Sequence, residues 1–184
     1  LLLGWHRAVS GDVLVDGATF DDSQLERLRR ETAWVDPTVH VWNRSLVDNL
    51  RFGNSSIDAE RLGQACRQAE LVDVLEKLPE GLQTSLGEGG GLLSGGQGQR
   101  VRLGRACLHP GARLVLLDEP FRGLDHATRC ELAGRVREQF RDSTLLFVSH
   151  DVSDTLAFDR VLVVAEGRVI EDGPPNELAQ RDQS

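Results

Sequence analysis

The spacing of apolar residues divides the chain into alternating strands and helices. Asp12-Val13-Leu14-Val15-Asp16-Gly17 alternates apolar and polar positions between turn residues and predicts a strand. Leu25 and Leu28 mark the inward face of a polar helix over 23–30, and Thr32-Ala33-Trp34-Val35 reads as a short strand. Asp58 is placed to cap a helix over 59–69 with Leu62, Ala65, Cys66 and Ala69 on one face; a second short segment over 71–78 is stopped by Pro79-Glu80-Gly81. Ser94 opens a helix in which Val101, Arg102, Leu103, Ala106 and Leu108 recur at near-helical spacing. The apolar run ending at Leu117 reads as a buried parallel strand, and Thr144 to Val148 as a second apolar strand, with a helix over 126–140 between them. Runs over 160–165 and 168–171 flank Glu166-Gly167, a hairpin signal, and a turn at Asp172 to Pro175 leads into a short helix over 176–179. Leu1 to Leu3 before Gly4 read as the last turns of a helix.

Strands alternating with helices imply an α/β fold: a parallel-sheet core over 1–44 and 99–184, a helical subdomain over about 45–98, and a β-hairpin near the carboxyl end. No apolar run approaches the roughly 20 residues a membrane helix needs, so any membrane connection is expected through a partner or a further segment. Val39, Val41 and Trp42 either mark such a partner site on an exposed connection or pack beneath the next helices. Composition changes this picture little: 184 residues with 40% hydrophobic content suit one domain with a real core. A net charge of −8 without a basic block argues against a nucleic-acid footprint. Cys66, Cys107 and Cys130 fit no metal spacing and cannot all pair, which reads as free thiols in a reducing compartment.

Two stretches carry candidate chemistry. In Leu93-Ser94-Gly95-Gly96-Gln97 the serine is a good helix N-cap and the glycines keep side chains away, so backbone N–H groups and the helix dipole face whatever sits there. A phosphate would suit that position, although the pentapeptide alone could also be a glycine-rich loop capping an ordinary helix. In Leu114-Val115-Leu116-Leu117-Asp118-Glu119-Pro120 the strand delivers two carboxylates to its carboxyl end, where open α/β sheets bind ligands. The first is placed to hold a hydrated Mg²⁺ and the second to orient or deprotonate a water. Taken alone, the acidic pair could also be a solvated turn.

The combination is more specific. Leu-Ser-Gly-Gly-Gln, then Asp-Glu-Pro about twenty residues later, then Gly123-Leu124-Asp125, then a strand ending Ser149-His150, resembles the ATPase subunit of ATP-binding cassette (ABC) transporters. The resemblance implies that Ser94, Gly95, Gly96 and Gln97 form a signature motif facing a partner's nucleotide. It likewise makes Asp118 the Walker B magnesium ligand, Glu119 the catalytic base, Asp125 the D-loop aspartate and His150 the switch histidine at the γ-phosphate. Thr84-Ser85-Leu86-Gly87-Glu88-Gly89 is similar to the X-loop of exporters, and Asn49-Leu50-Arg51-Phe52-Gly53 to another family stretch, Glu-Asn-Ile-x-Tyr-Gly.

It further implies ATP and Mg²⁺ as ligands, a head-to-tail dimer with a second ABC ATPase domain, and coupling to an exporter's transmembrane domain at the cytoplasmic face, with no nucleic acid expected. The P-loop pattern Gly-x-x-x-x-Gly-Lys-Ser/Thr does not occur in these residues and is expected just before Leu1, which would leave the core incomplete at its N-terminus. Activity of the chain alone would then be in question. Pro37 takes the place of the family's magnesium-sensing glutamine and has no side-chain hydrogen-bonding group; Asp36 beside it either contacts a metal or builds a turn. Two alternatives stay open: a degenerate, non-catalytic cassette, and a soluble ATPase of the DNA-repair or translation type.

Overall fold

A computed structural model of the chain describes residues 1–36, 40–52, 54, 56–109 and 111–181, and the chain divides into two compact units, Leu1–Phe147 and Val148–Ser184. The first unit opens with a turn closed by Gly4 N–H on Leu1 O (2.8 Å), in place of the helix end read from the leucine triplet. The alternating stretch after it is a correction too: β1 (Leu14–Val15) and β2 (Ala18–Thr19) pair antiparallel across Asp16-Gly17. Both turn residues take positive φ, 52° and 77°, the geometry that suits a two-residue hairpin. The strand is thus confined to the centre of the predicted stretch.

Helix α1 (Asp22–Arg30) starts where Asp21 accepts from Gln24 N–H, and it buries Leu28. β3 (Thr32–Val35) and β4 (Leu114–Asp118) pair in parallel with Val35 opposite Leu117, and β5 (Thr144–Val148) follows β4 in the sheet order. The helical stretch between β3 and β4 contains α2 (Leu46–Leu50), α3 (Ala59–Gln68), α4 (Val72–Lys77) and α5 (Gly95–Cys107). Ser45 and Asp58 cap α2 and α3 by accepting from the N–H groups three residues on.

Helix α5 is the packing centre of this unit. Val101, Leu103, Ala106 and Cys107 are buried along it, and it packs against α2, α3 and β3. Each fully buried leucine or valine contributes about 1.5–3 kcal/mol relative to exposure, so a helix flanked on several sides is held mainly by burial. Val41 is also buried, settling that it packs inward, while Val39 lies outside the described residues. Trp42 stacks on the exposed Phe52 with ring centroids 4.1 Å apart, and the Arg105 guanidinium lies over both rings. α6 (His126–Gln139) follows β4 and packs on α3.

In the second unit β6 (Val161–Ala165) and β7 (Arg168–Gly173) form the expected hairpin around Glu166-Gly167, with Arg160 paired to Asp172, and α7 (Pro175–Arg181) follows. No helix of the described residues is long and apolar enough to cross a membrane.

Candidate functional site

The site grows from the carboxyl ends of two parallel strands. Because Val35 lies opposite Leu117, the next residues, Asp36 and Asp118, end neighbouring strands side by side. Burial, then the Asp36 charge, then the adjoining Glu119 hold the Asp118 carboxyl above its usual range. A cation placed there would relieve that repulsion, and the donors are hard carboxylate oxygens that suit Mg²⁺. Among the described residues no three His, Cys, Asp or Glu side chains converge as a ready-made metal cage. One or two carboxylates completed by phosphate oxygens is the usual seat of Mg²⁺ in nucleotide sites.

Glu119 turns off the strand with φ 47°, a left-handed conformation that costs a non-glycine residue about 1–2 kcal/mol. Its backbone carbonyl accepts from the Gln99 side-chain amide at 3.1 Å and from Arg122 N–H at 3.2 Å. Gln99 is only 3% exposed, and its own Oε1 accepts from Arg102 Nη1 at 2.8 Å. Burial pulls the Arg102 guanidinium below its ordinary range, opposed by the charge of Asp36. Helix α5 is thereby tied to the turn that carries Glu119.

One turn before Gln99, α5 begins with a complete capping box: Gln97 N–H donates to Ser94 Oγ (3.3 Å) and Ser94 N–H to Gln97 Oε1 (2.8 Å). The first intrahelical bond here runs from Gly98 N–H to Ser94 O, so the N–H groups of Gly95 and Gly96 precede it at the positive end of the helix dipole. Nothing lies within 4 Å of where a Gly95 Cβ would stand, whereas a Gly96 Cβ would meet Leu124 Cδ2 at 2.8 Å and Gly123 O at 3.3 Å. The helix start therefore rests on the loop that follows the carboxylates. Asp125, at the end of that loop, caps α6, one oxygen accepting from Thr128 N–H and the other from Thr128 Oγ1. These bonds hold its carboxyl below the usual range.

His150 falls in the second unit, exposed and next to a segment fixed by Ser149 Oγ–H on Asp154 and by Asp151 accepting from Ser153. Asp118, Glu119, Ser94 to Gln97 and Asp125 all belong to the first unit. Pro37 lies outside the described residues. Gln99 was not singled out by sequence reasoning, and Arg102 only as one of the residues at near-helical spacing. The signal was a glutamine on the face that carries Leu103 and Ala106, where a buried amide must have partners. Asn49 was legible only as part of a motif: 1% exposed, it accepts from Trp42 N–H and donates to the carbonyls of Trp42, Arg44 and Ser45. Asn49 also accepts from Arg105 Nε through its backbone carbonyl.

Residues 1–122 match a family profile described as ABC transporter. The chain belongs to the ABC transporter family. It is 36% identical over 174 residues, 94% of its length, to an ATP-dependent lipid A-core flippase of Vibrio cholerae, and 33% identical over 185 residues, 99% of its length, to one of Ralstonia nicotianae. It spans about 30% of each of these relatives, 30% and 31% respectively. The fold is that of an exporter's ATPase domain: a bacterial Atm1-family ABC exporter with ATP bound superposes with a TM-score of 0.92 at 26% identity, covering 98% of this chain and 32% of that one.

Proposed function

We propose that the chain is the ATP-hydrolysing domain of an ABC exporter and acts as one of two cassettes meeting head to tail. The observation that carries this reading is the pairing, on one rigid helix, of an anion-facing start at Ser94 with a grip on the turn that presents Glu119 beside Asp118. Asp118, with Asp36 across the strand, would hold Mg²⁺, which when bound neutralises phosphate charge. Glu119 accepts a proton from, or orients, the attacking water; His150 donates to a phosphate oxygen; Ser94 to Gln97 and Asp125 serve the nucleotide seated on the second cassette. The exposed Phe52, stacked on Trp42, would take part in seating a membrane domain's cytoplasmic segment, and the domain would then work at the cytoplasmic face of the membrane. The names of the relatives make lipid A-core the first transport substrate to test.

The test is Glu119→Gln in the intact polypeptide that carries this domain, assayed for ATP binding and phosphate release. The expected result is retained binding with turnover reduced at least 100-fold, since a neutral amide cannot take the proton. Turnover equal to the parent's would refute the assignment and favour a non-catalytic cassette.

A further inference from the structure

We propose that Gln99, backed by Arg102, is a positioning residue that fixes the direction of the Glu119 carboxylate by gripping its backbone carbonyl. This rests on the reading of Glu119 as the group that handles the attacking water. A glutamate at the end of a strand would ordinarily continue extended, with its side chain free to sample several directions. Here the backbone is turned to φ 47°, and that choice decides where the Cα–Cβ bond points. The turn closes on itself through Arg122 N–H on the Glu119 carbonyl at 3.2 Å, and the Gln99 amide at 3.1 Å adds a second donor to that oxygen from a helix buried on several sides.

The grip is directional. Arg102 has only N–H groups to offer, so its bond of 2.8 Å to Gln99 Oε1 fixes the oxygen on that side and leaves Nε2 facing Glu119. Helix α5 and the turn after β4 thus meet at one amide. Catalytic groups lose rate steeply with misplacement of about an ångström, so a second residue that sets orientation is worth a large factor in turnover and little in substrate binding.

The experiment is carried out on the intact polypeptide with steady-state ATP hydrolysis, ATP binding and thermal melting for each variant. Gln99→Leu is expected to lower kcat about 10–100-fold with KM for ATP within about twofold of the parent. In an E119Q background the same change should add no further loss to the residual rate, because it acts through a carboxylate already removed. R102L should lower kcat several-fold, and R102K, which keeps a donor for Gln99 Oε1, should restore it. An equal fractional loss in the parent and E119Q backgrounds, or a Q99L enzyme with parental kcat, overturns the proposal. Should Q99L fail to fold, R102L with parental kcat overturns it instead. E119Q with parental turnover would remove the underlying reading, whereas inactive E119Q together with fully active Q99L would remove the positioning role alone.

Discussion

The two glycines at the start of α5 make opposite predictions when each is given a methyl group. Both substitutions add alanine in the first helical turn, so the helix-propensity gain, at most about 1 kcal/mol, cancels when the two are compared. What remains is steric. The Gly95→Ala methyl enters open space, while the Gly96→Ala methyl would stand 2.8 Å from Leu124 Cδ2 and 3.3 Å from the Gly123 carbonyl oxygen. Leu124 can rotate away, but the carbonyl belongs to a turn whose next residues lead to the Asp125 cap, so backbone must move as well. Overpacking of this kind costs about 1–3 kcal/mol, which places G96A below G95A by that amount. With a urea slope near ~2 kcal/mol/M, the midpoints should differ by roughly 0.5–1.5 M, read from tryptophan fluorescence. Turnover should not follow the same order as stability. If the space beside Gly95 is where a phosphate sits, G95A should keep a parental midpoint and still lose at least about tenfold in ATP hydrolysis, a factor of ten being ~1.4 kcal/mol. Identical midpoints for the two variants would refute the packing argument, and parental turnover in G95A would refute the phosphate-facing role.

Two further perturbations probe the surroundings of the site. Asn49→Ala removes one acceptor and the shared donor serving three carbonyls in a position that is 1% exposed, so unfolding free energy should drop by about 2–3 kcal/mol; a loss under about 1 kcal/mol in urea titration would mean water replaces the amide at little cost. Glu70 is raised above its ordinary 4.5 by burial and then by the Glu131 carboxyl, with Arg135 and Arg100 opposing. The folded state therefore binds the proton more tightly, so this contribution is full below pH 4.5 and is lost as pH rises through the folded value. Glu70→Gln should flatten that part of the Tm profile; parallel profiles for parent and variant would contradict the assignment.

Much of the architecture was legible because it is written locally. Caps at Asp58 and Ser94 announce their helices through a side chain and an N–H group three residues away, and Glu166-Gly167 specifies its own turn. The apolar run before Asp118 identified a strand buried between neighbours, and the spacing of Ser94, Asp118 and Asp125 carried the family resemblance without any knowledge of contacts. The strand read at 12–17 was local too: it forms, confined to Leu14–Val15, and the Asp16-Gly17 turn returns the chain to pair with Ala18-Thr19.

What the sequence determined by itself was which segments exist, where they begin, and which residue types stand at strand and helix ends, since periodicity and capping act over a few residues. Only the tertiary structure decided that Val41 turns inward, that Gly96 must be small because Gly123 and Leu124 lie against it, and that Gln99 reaches the backbone of Glu119 twenty residues away. Those outcomes depend on how helix α5 seats against the end of the sheet. A buried amide, a close backbone approach and a left-handed glutamate are each unfavourable alone, and become stable only where distant parts of the chain supply the partner.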